Sequence, residues 1–245
     1  MAEAQAPAPL LSVVIPARNE GDNLAELIPE IAAAAGGVVF EVVVVNDGST
    51  DDTSGVVGRL HSAGLPAREV KHPRSLGQSA ALYSGVNAAR GMFVMTLDGD
   101  GQNDPSPLRQ FLARLEDPGV GLVAGQRVGR KASFAKTYGS RFANWIRRAL
   151  LKDDTRDTGC GIKAFRRDAF LGLPYFDTMH RFLPALFLGD GWKVAQIDVI
   201  DRDRRHGLSN YGIIDRLIVG ISDLFGVWWL LRRRRRNPFS AGRRT

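Results

Sequence analysis

Only one of the 245 residues is a cysteine, Cys160, so no intrachain disulfide can form and the usage fits a reducing compartment. A signal-peptide start is also missing: "MAEAQAPAPL" has neither a basic opening nor an apolar core, and residues 1–10 read as a disordered lead-in. No uninterrupted apolar run has bilayer length, because the one candidate, 211–231, is broken by Asp215, Arg216 and Asp223. The body of the chain lacks a charge excess of either sign. The formal net charge of +7 is concentrated at the end, in Arg232 to Arg236, Arg243 and Arg244, and without that tail the balance is close to neutral. A basic block of this kind attracts nucleic acid or an anionic membrane surface, and its neighbours have to decide between them. What remains is ordinary for a globular chain, 44% hydrophobic and 24% charged, long enough for one α/β domain with an appendage.

From Leu11 to about Leu122, short β-branched runs alternate with amphipathic stretches. "LLSVVIP" (10–16), "FEVVVVN" (40–46), "AREVKH" (67–72), "MFVMTL" (92–97) and "VGLVAG" (120–125) predict strands. Residues 21–35, 51–63, 76–90 and 105–116 predict the helices between them. Val- and Ile-rich strands separated by helices imply a mainly parallel, doubly wound sheet whose ligands sit at the carboxyl ends of the strands. The second half is less regular: 136–151 reads as a helix, "GCGIKAFRRDAF" (159–170) as a strand running into a short helix, and "WKVAQIDVIDRD" (192–203) as strand-like.

Three strands end in polar clusters: "IPARNE" (15–20), "VNDGST" (45–50) and "LDGDGQ" (97–102). In a parallel sheet all three meet along one edge. Carboxylates as close as Asp98 and Asp100 repel, so a cation belongs among them. With the Gln102 oxygen they form a hard donor set suited to Mg²⁺ or Mn²⁺, and Mg²⁺ normally takes only one or two carboxylates and completes its shell with phosphate oxygens. A nucleoside diphosphate at the strand ends follows. Read alone, "DGDGQ" is also an ordinary turn.

With these motifs in place, the sequence resembles the family 2 glycosyltransferases, and among them the polyprenyl-phosphate glycosyltransferases of the dolichol-phosphate mannose synthase type, over nearly all of residues 11–232. The resemblance implies a GT-A fold, a nucleotide-sugar donor and a divalent metal. It implies that Pro16, Ala17, Arg18 and Glu20 line the nucleotide, with Asn46 and Asp47 of the second motif, Asp47 at the base or ribose. It places Asp98, Asp100 and Gln102 at the metal, Asp98 also toward the nucleotide, and Arg127 of "GQRV" facing the diphosphate. "DTGCGIKAFRR" resembles the strand after the acceptor loop, which makes 126–160 an acceptor-side insertion in a domain spanning 11–210. "RDRRHGLSNYG" resembles an Arg-x-Arg-x-x-Gly-x-Ser-x-Tyr signature and puts Arg202, Arg204 and Ser209 at the acceptor phosphate; Asn210 departs from the lysine often found there. The Gln-x-x-Arg-Trp motif of processive synthases is absent, which favours transfer of a single sugar.

The chemistry follows from that acceptor. An alcohol needs a general base as it attacks, whereas a polyprenyl phosphate arrives as an anion and needs cations instead. Asp100, Arg127 and Arg204 are the expected catalytic groups, Arg204 at the acceptor. Asp157 either orients sugar or acceptor phosphate or caps the turn before Gly159. His180 is either a substrate contact or a structural helix-start residue, and Cys160 is a packing residue. One in-line displacement predicts inversion at the sugar. The apolar stretch 211–231, with Leu217, Ile221, Leu224, Phe225, Trp228 and Trp229 off the charged stripe, reads as an interfacial helix, and the basic tail 232–245 as a second anchoring signal. The alternative is a core or dimer-interface helix capped by solvated arginines, and a homo-oligomer is compatible with the chain. The expected location is the cytoplasmic face of a membrane. Competing readings are a family 2 transferase acting on a soluble or protein-linked hydroxyl, with Asp157 as base, and a binding module for membrane or nucleic acid. Nucleic acid is disfavoured because the tail lacks stacking aromatics or a docking helix.

Overall fold

The computed structural model describes residues 8–128, 147, 150–151, 153–155, 157–202 and 213–233, with 213–221 as backbone alone. The chain begins with β1 (Leu11–Ala17), α1 (Gly21–Ala35), β2 (Phe40–Asp47), α2 (Thr53–Ser62) and β3 (Ala67–His72). It continues through α3 (Gln78–Ala88), β4 (Phe93–Thr96), α4 (Leu108–Leu115) and β5 (Val120–Arg127). Further along come β6 (Lys163–Arg166), α5 (Arg167–Leu171), a 3₁₀ turn (Met179–Arg181), α6 (Leu183–Gly189), β7 (Lys193–Val199) and α7 (Ile213–Arg233).

The seven strands form one sheet in the order β3-β2-β1-β4-β6-β5-β7. β3, β2, β1 and β4 are mutually parallel, as their apolar runs predict; Val42 to Val45 of β2 are fully buried, as a strand covered on both faces must be. β6 alone is antiparallel, wedged between β4 and β5, while β7 returns parallel to β5. One face is covered by α1, α2 and α4 through Leu24, Ile28, Ile31, Val56, Leu108 and Phe111. The other is covered by α3, α5, α6 and α7 through Leu82, Val86, Phe170, Leu186, Leu224 and Val227. α3 lies so close to the sheet that a Cβ on Gly85 would stand 2.4 Å from Val14.

The strand order reverses between β1 and β4, since the chain leaves edge strand β3 and crosses back past β1. A crevice at the carboxyl ends of β1 and β4 follows from that switch.

Two expectations are revised. α7 runs through Arg233, so the basic block begins inside the helix and not after it. Leu224 also does not share a face with Phe225 and Trp229: Leu224 and Val227 are buried against the core, whereas Phe225 and Trp229 are more than half exposed. Most of the expected helix over 136–151, and the lead-in 1–7, lie outside the described residues. Arg147, which is described, is buried and paired with Asp153 at 2.9 Å.

Candidate active site

The loops after β1 and β2 are sewn together. Asn19 sits at φ +58° and its Oδ1 accepts the Thr50 N–H at 2.7 Å, while the Gly21 N–H donates to Asp51 at 3.1 Å. Pro16 to Glu20 are thereby held against the "VNDGST" turn. Asn46 is turned into this seam: it donates to Glu69 at 2.8 Å and accepts the Ser49 N–H at 2.8 Å.

Asp47 is buried, and both its oxygens are taken up by its own chain. It accepts from His72 Nδ1, the Ser75 hydroxyl and the N–H groups of Leu76 and Gly77, at 2.7–3.0 Å. Burial would weaken this acid, but those donors outweigh it and hold the carboxyl below the usual carboxylate range. Asp47 therefore fixes the β3–α3 loop, and that loop delivers Gln78, whose amide donates to Asp98 at 3.0 Å. Gly48 (φ +71°) is required here, since a Cβ would stand 2.6 Å from the backbone of Arg74 and Ser75.

Below that loop opens a cavity of about 470 Å³. Its wall includes Pro16, Gln78, Asp98, Arg127, Lys163 and His180, with Arg181 and Leu183 at one side. Asp98 is its acidic centre. Burial, with the Asp100 charge added to it, pushes the Asp98 carboxyl up to about 6. Its own N–H donates to Asn103 Oδ1 at 2.9 Å, and Gly161 leaves room for it. Asp100 accepts the Gln102 N–H at 3.1 Å, an Asx turn that shapes the loop.

Two adjacent carboxylates, one half-buried and with its charge unfavourable, are a donor set that a hard divalent cation fits. Among the described residues no group of three or more His, Cys, Asp or Glu gathers to hold a metal. A cation here would complete its shell with ligand oxygens, in keeping with a nucleoside diphosphate.

Arg127 and Lys163 supply the positive side. Arg127 lies in a carboxylate fork: its Nε and Nη2 donate to the two oxygens of Asp157, at 2.5 and 2.8 Å, and its Nη1 reaches Asp201 at 3.3 Å. The Asp157 fork raises the Arg127 pKa further, so the guanidinium is permanently charged. Burial would weaken Asp157, but Arg127 reverses this and keeps it ionised. Lys163 is fully enclosed and donates to the Cys160 carbonyl; burial lowers its pKa. The thiol of Cys160 is pushed up to about 11 by burial, which leaves it an inert packing group.

His180 faces the cavity with Nδ1 2.8 Å from the Ser79 hydroxyl, which also takes the His180 backbone N–H at 3.5 Å. Burial, then the charges of Lys163 and Arg181, hold its pKa down at about 3, so the ring is neutral.

Of the residues anticipated from sequence, Pro16, Asp98 and Arg127 line the cavity; Asp157 stands behind Arg127, and Asp100 follows Asp98 in the same loop. Arg202 is directed elsewhere. It pairs with Glu30 of α1 and with Asp104, at 2.5 and 2.8 Å, in a separate small crevice. Arg204 and Ser209 lie outside the described residues. Lys163, Asp201, Gln78 and Asn103 were not anticipated. A lysine inside the apolar run "GIKAF" was the one available signal for Lys163, while Asp201 was hidden beside the more conspicuous Arg202.

A doubly wound sheet with an acidic loop and a charged cavity at its switch point defines a nucleotide-dependent transferase. The family model for glycosyl transferase family 2 matches residues 12–172, and the chain belongs to that family. Dodecaprenyl-phosphate galacturonate synthase of Rhizobium johnstonii is 34% identical over 235 residues, covering 92% of this chain and 68% of that protein. Undecaprenyl-phosphate 4-deoxy-4-formamido-L-arabinose transferase of Edwardsiella ictaluri is 31% identical over 207 residues, 83% of this chain and 63% of that one. The chain thus spans about two thirds of the length of these relatives. Among solved structures, mannosyl-3-phosphoglycerate synthase from Rubrobacter xylanophilus superposes with a TM-score of 0.68 at 20% identity, covering 94% of this chain and 78% of that one. Glucosyl-3-phosphoglycerate synthase from Mycobacterium tuberculosis, in complex with Mn²⁺, UDP and glucosyl-3-phosphoglycerate, gives 0.63 at 23% identity, with 91% and 80% covered. These likenesses establish the GT-A fold.

Proposed function

We propose that this glycosyltransferase moves one sugar from a nucleotide-sugar to a polyprenyl phosphate, with inversion, at the cytoplasmic face of a membrane. The observation that carries this reading is the state of Asp157, the carboxylate an alcohol acceptor would need as base. Both its oxygens are engaged by Arg127, and its acidity is strengthened, which makes it a weakened base. The cavity is instead walled by Arg127, Lys163 and Arg181 beside a neutral histidine. That wall suits an acceptor that is already an anion. The names of the two relatives, each a polyprenyl-phosphate transferase or synthase, support the same acceptor class.

Asp98 and Asp100, with Gln102 next in the loop, would hold Mg²⁺ or Mn²⁺, which when bound neutralises charge on the departing diphosphate. Pro16 to Glu20, with the seam to "VNDGST", cradle the nucleotide. Arg127, held in place by two carboxylates, is a preorganised guanidinium at the diphosphate side of the cavity. The neutral His180 ring offers a hydrogen-bonding nitrogen to a sugar hydroxyl or phosphate oxygen. Arg204 and Ser209 are proposed for the acceptor phosphate.

The test is a transfer assay with purified protein, Mg²⁺ or Mn²⁺, undecaprenyl or dolichyl phosphate and a panel of labelled GDP- and UDP-sugars. Organic-phase product that Asp100→Ala lowers by at least about 100-fold, the scale of losing transition-state charge stabilisation, is the expected result. Metal-dependent nucleotide release only with a soluble alcohol, and no lipid product, would overturn it.

A further inference from the structure

The acidic loop is braced from outside the cavity. Arg202 stands at the hub of that brace: its backbone N–H donates to the Gln102 carbonyl at 2.8 Å, and its guanidinium joins Asp104 at 2.8 Å to Glu30 on α1. One residue earlier, Asp201 forms a backbone bridge with Asn103, and its side chain meets Arg127 at 3.3 Å. Asn103 in turn accepts the Asp98 N–H. Residues 201–202 therefore touch the loop at Gln102, Asn103 and Asp104 and anchor it to α1 and to Arg127. The loop needs this support. The bonds from the Asp98 N–H to Asn103 and from the Gln102 N–H to Asp100 shape the loop from within, but Gly101 sits at φ +71° and the flanking carboxylates repel, so an anchor outside the loop adds to what keeps Asp98 and Asp100 side by side.

We infer that Arg202 is a positioning residue for the acidic loop, a strut that presets Asp98 and Asp100 for a divalent cation, and not a ligand of the acceptor phosphate. The inference rests on the proposed function for the identity of the reaction, but the strut itself is read from ion pairs within the chain. Two of the guanidinium's faces are committed, to Glu30 and to Asp104, and Arg202 does not line the main cavity. Arg202 is also the first residue of the signature "RDRRHGLSNYG", so in sequence the strut leads straight into the acceptor signature.

Glu30 supplies the discriminating control, because it sits at the far end of the strut on α1 and belongs to neither the cavity nor the acidic loop. Arg202→Met, Glu30→Gln and the double variant are compared by Mn²⁺ titration in the presence of nucleoside diphosphate, followed calorimetrically, and by the KM for polyprenyl phosphate. A strut predicts that both single variants weaken Mn²⁺ binding, by about 3- to 10-fold for Arg202→Met and less for Glu30→Gln, that the double variant is no worse than Arg202→Met, and that acceptor KM stays within about twofold. A tenfold rise in acceptor KM in Arg202→Met, with Glu30→Gln unchanged in both readouts, would overturn the inference and return Arg202 to the acceptor phosphate. The Mn²⁺ titration needs no lipid. If wild-type protein binds Mn²⁺ and nucleotide but transfers nothing to lipid, the proposed acceptor fails, while the titration still decides whether the strut exists.

Discussion

Gly161 shows how little separates a working site from a blocked one. A single methyl there would stand 2.2 Å from Asp98 Oδ2 and 2.6 Å from Asn103 Oδ1, so the carboxylate or its support must move. Gly161→Ala is expected to cost about 1–3 kcal/mol of stability, the range for overpacking, and to lower kcat by about 100-fold. Urea unfolding and turnover together check it: full turnover would mean that Asp98 needs no fixed placement. His180 makes a different prediction. Its folded-state pKa, about 3, lies below the ordinary 6.5, so the unfolded chain binds the proton first on acidification. Its contribution to stability is complete above about pH 6.5 and is lost as the pH falls toward 3. Between pH 7 and 5 wild type should therefore lose more stability than His180→Gln, by on the order of 1 kcal/mol for a ring only partly shielded. Thermal melts at the two pH values measure this, and equal losses would mean the ring is solvated.

At the scale of elements, α7 divides its residues between two tasks. Leu224 and Val227 are core residues, and Leu231 packs so near α6 that a Cβ on Gly189 would meet it at 2.4 Å. Asp223 accepts the Thr178 hydroxyl at 2.6 Å, tying the helix to the segment that carries His180. Leu224→Ala should cost at least about 2 kcal/mol, whereas Trp229→Ala, on the exposed side, should stay within about 0.5 kcal/mol in the same denaturant titration. Residue pattern alone predicts the helix but does not assign its faces, because leucine, phenylalanine and tryptophan look alike until a neighbour is known. β1, β2, β4 and β5 were legible for the opposite reason: each apolar run is bounded by glycine, proline or a carboxylate, and burial on both faces leaves no alternation to misread. The antiparallel insertion of β6 was not legible, since four residues carry no directional signal. Nor was Asp47 as a loop anchor. Its four donors come from β3 and the β3–α3 loop, about 25–30 residues further along the chain, and only the fold brings them there.

For the whole molecule, the distribution of charge decides how it meets a surface. The body is near neutral, and the +7 comes from arginines that start on α7. Arg232 lies over the half-buried Trp228 ring, 4.3 Å from its centroid, and Arg233 over the exposed Trp229 at 5.8 Å, so the first charges of the block are held against the tryptophans of α7. No helix among the described residues is long and apolar enough to cross a membrane. An attachment built from this face would be interfacial, with two parts that salt can separate. The ionic part, about 1 kcal/mol for each basic residue near an anionic surface, is screened as the Debye length shrinks from ~10 Å at 0.1 M salt to ~3 Å at 1 M. The aromatic part is not. In vesicle sedimentation, wild type should bind anionic vesicles at low salt and keep a residual fraction at 1 M, and should bind neutral vesicles only at that residual level. Phe225→Ala with Trp229→Ala should abolish the residual fraction while leaving a steep salt dependence, with the fold intact because neither side chain belongs to the core. Equal binding to neutral and anionic vesicles would remove the arginines from the account. A residual fraction that survives the double substitution would remove the aromatic face.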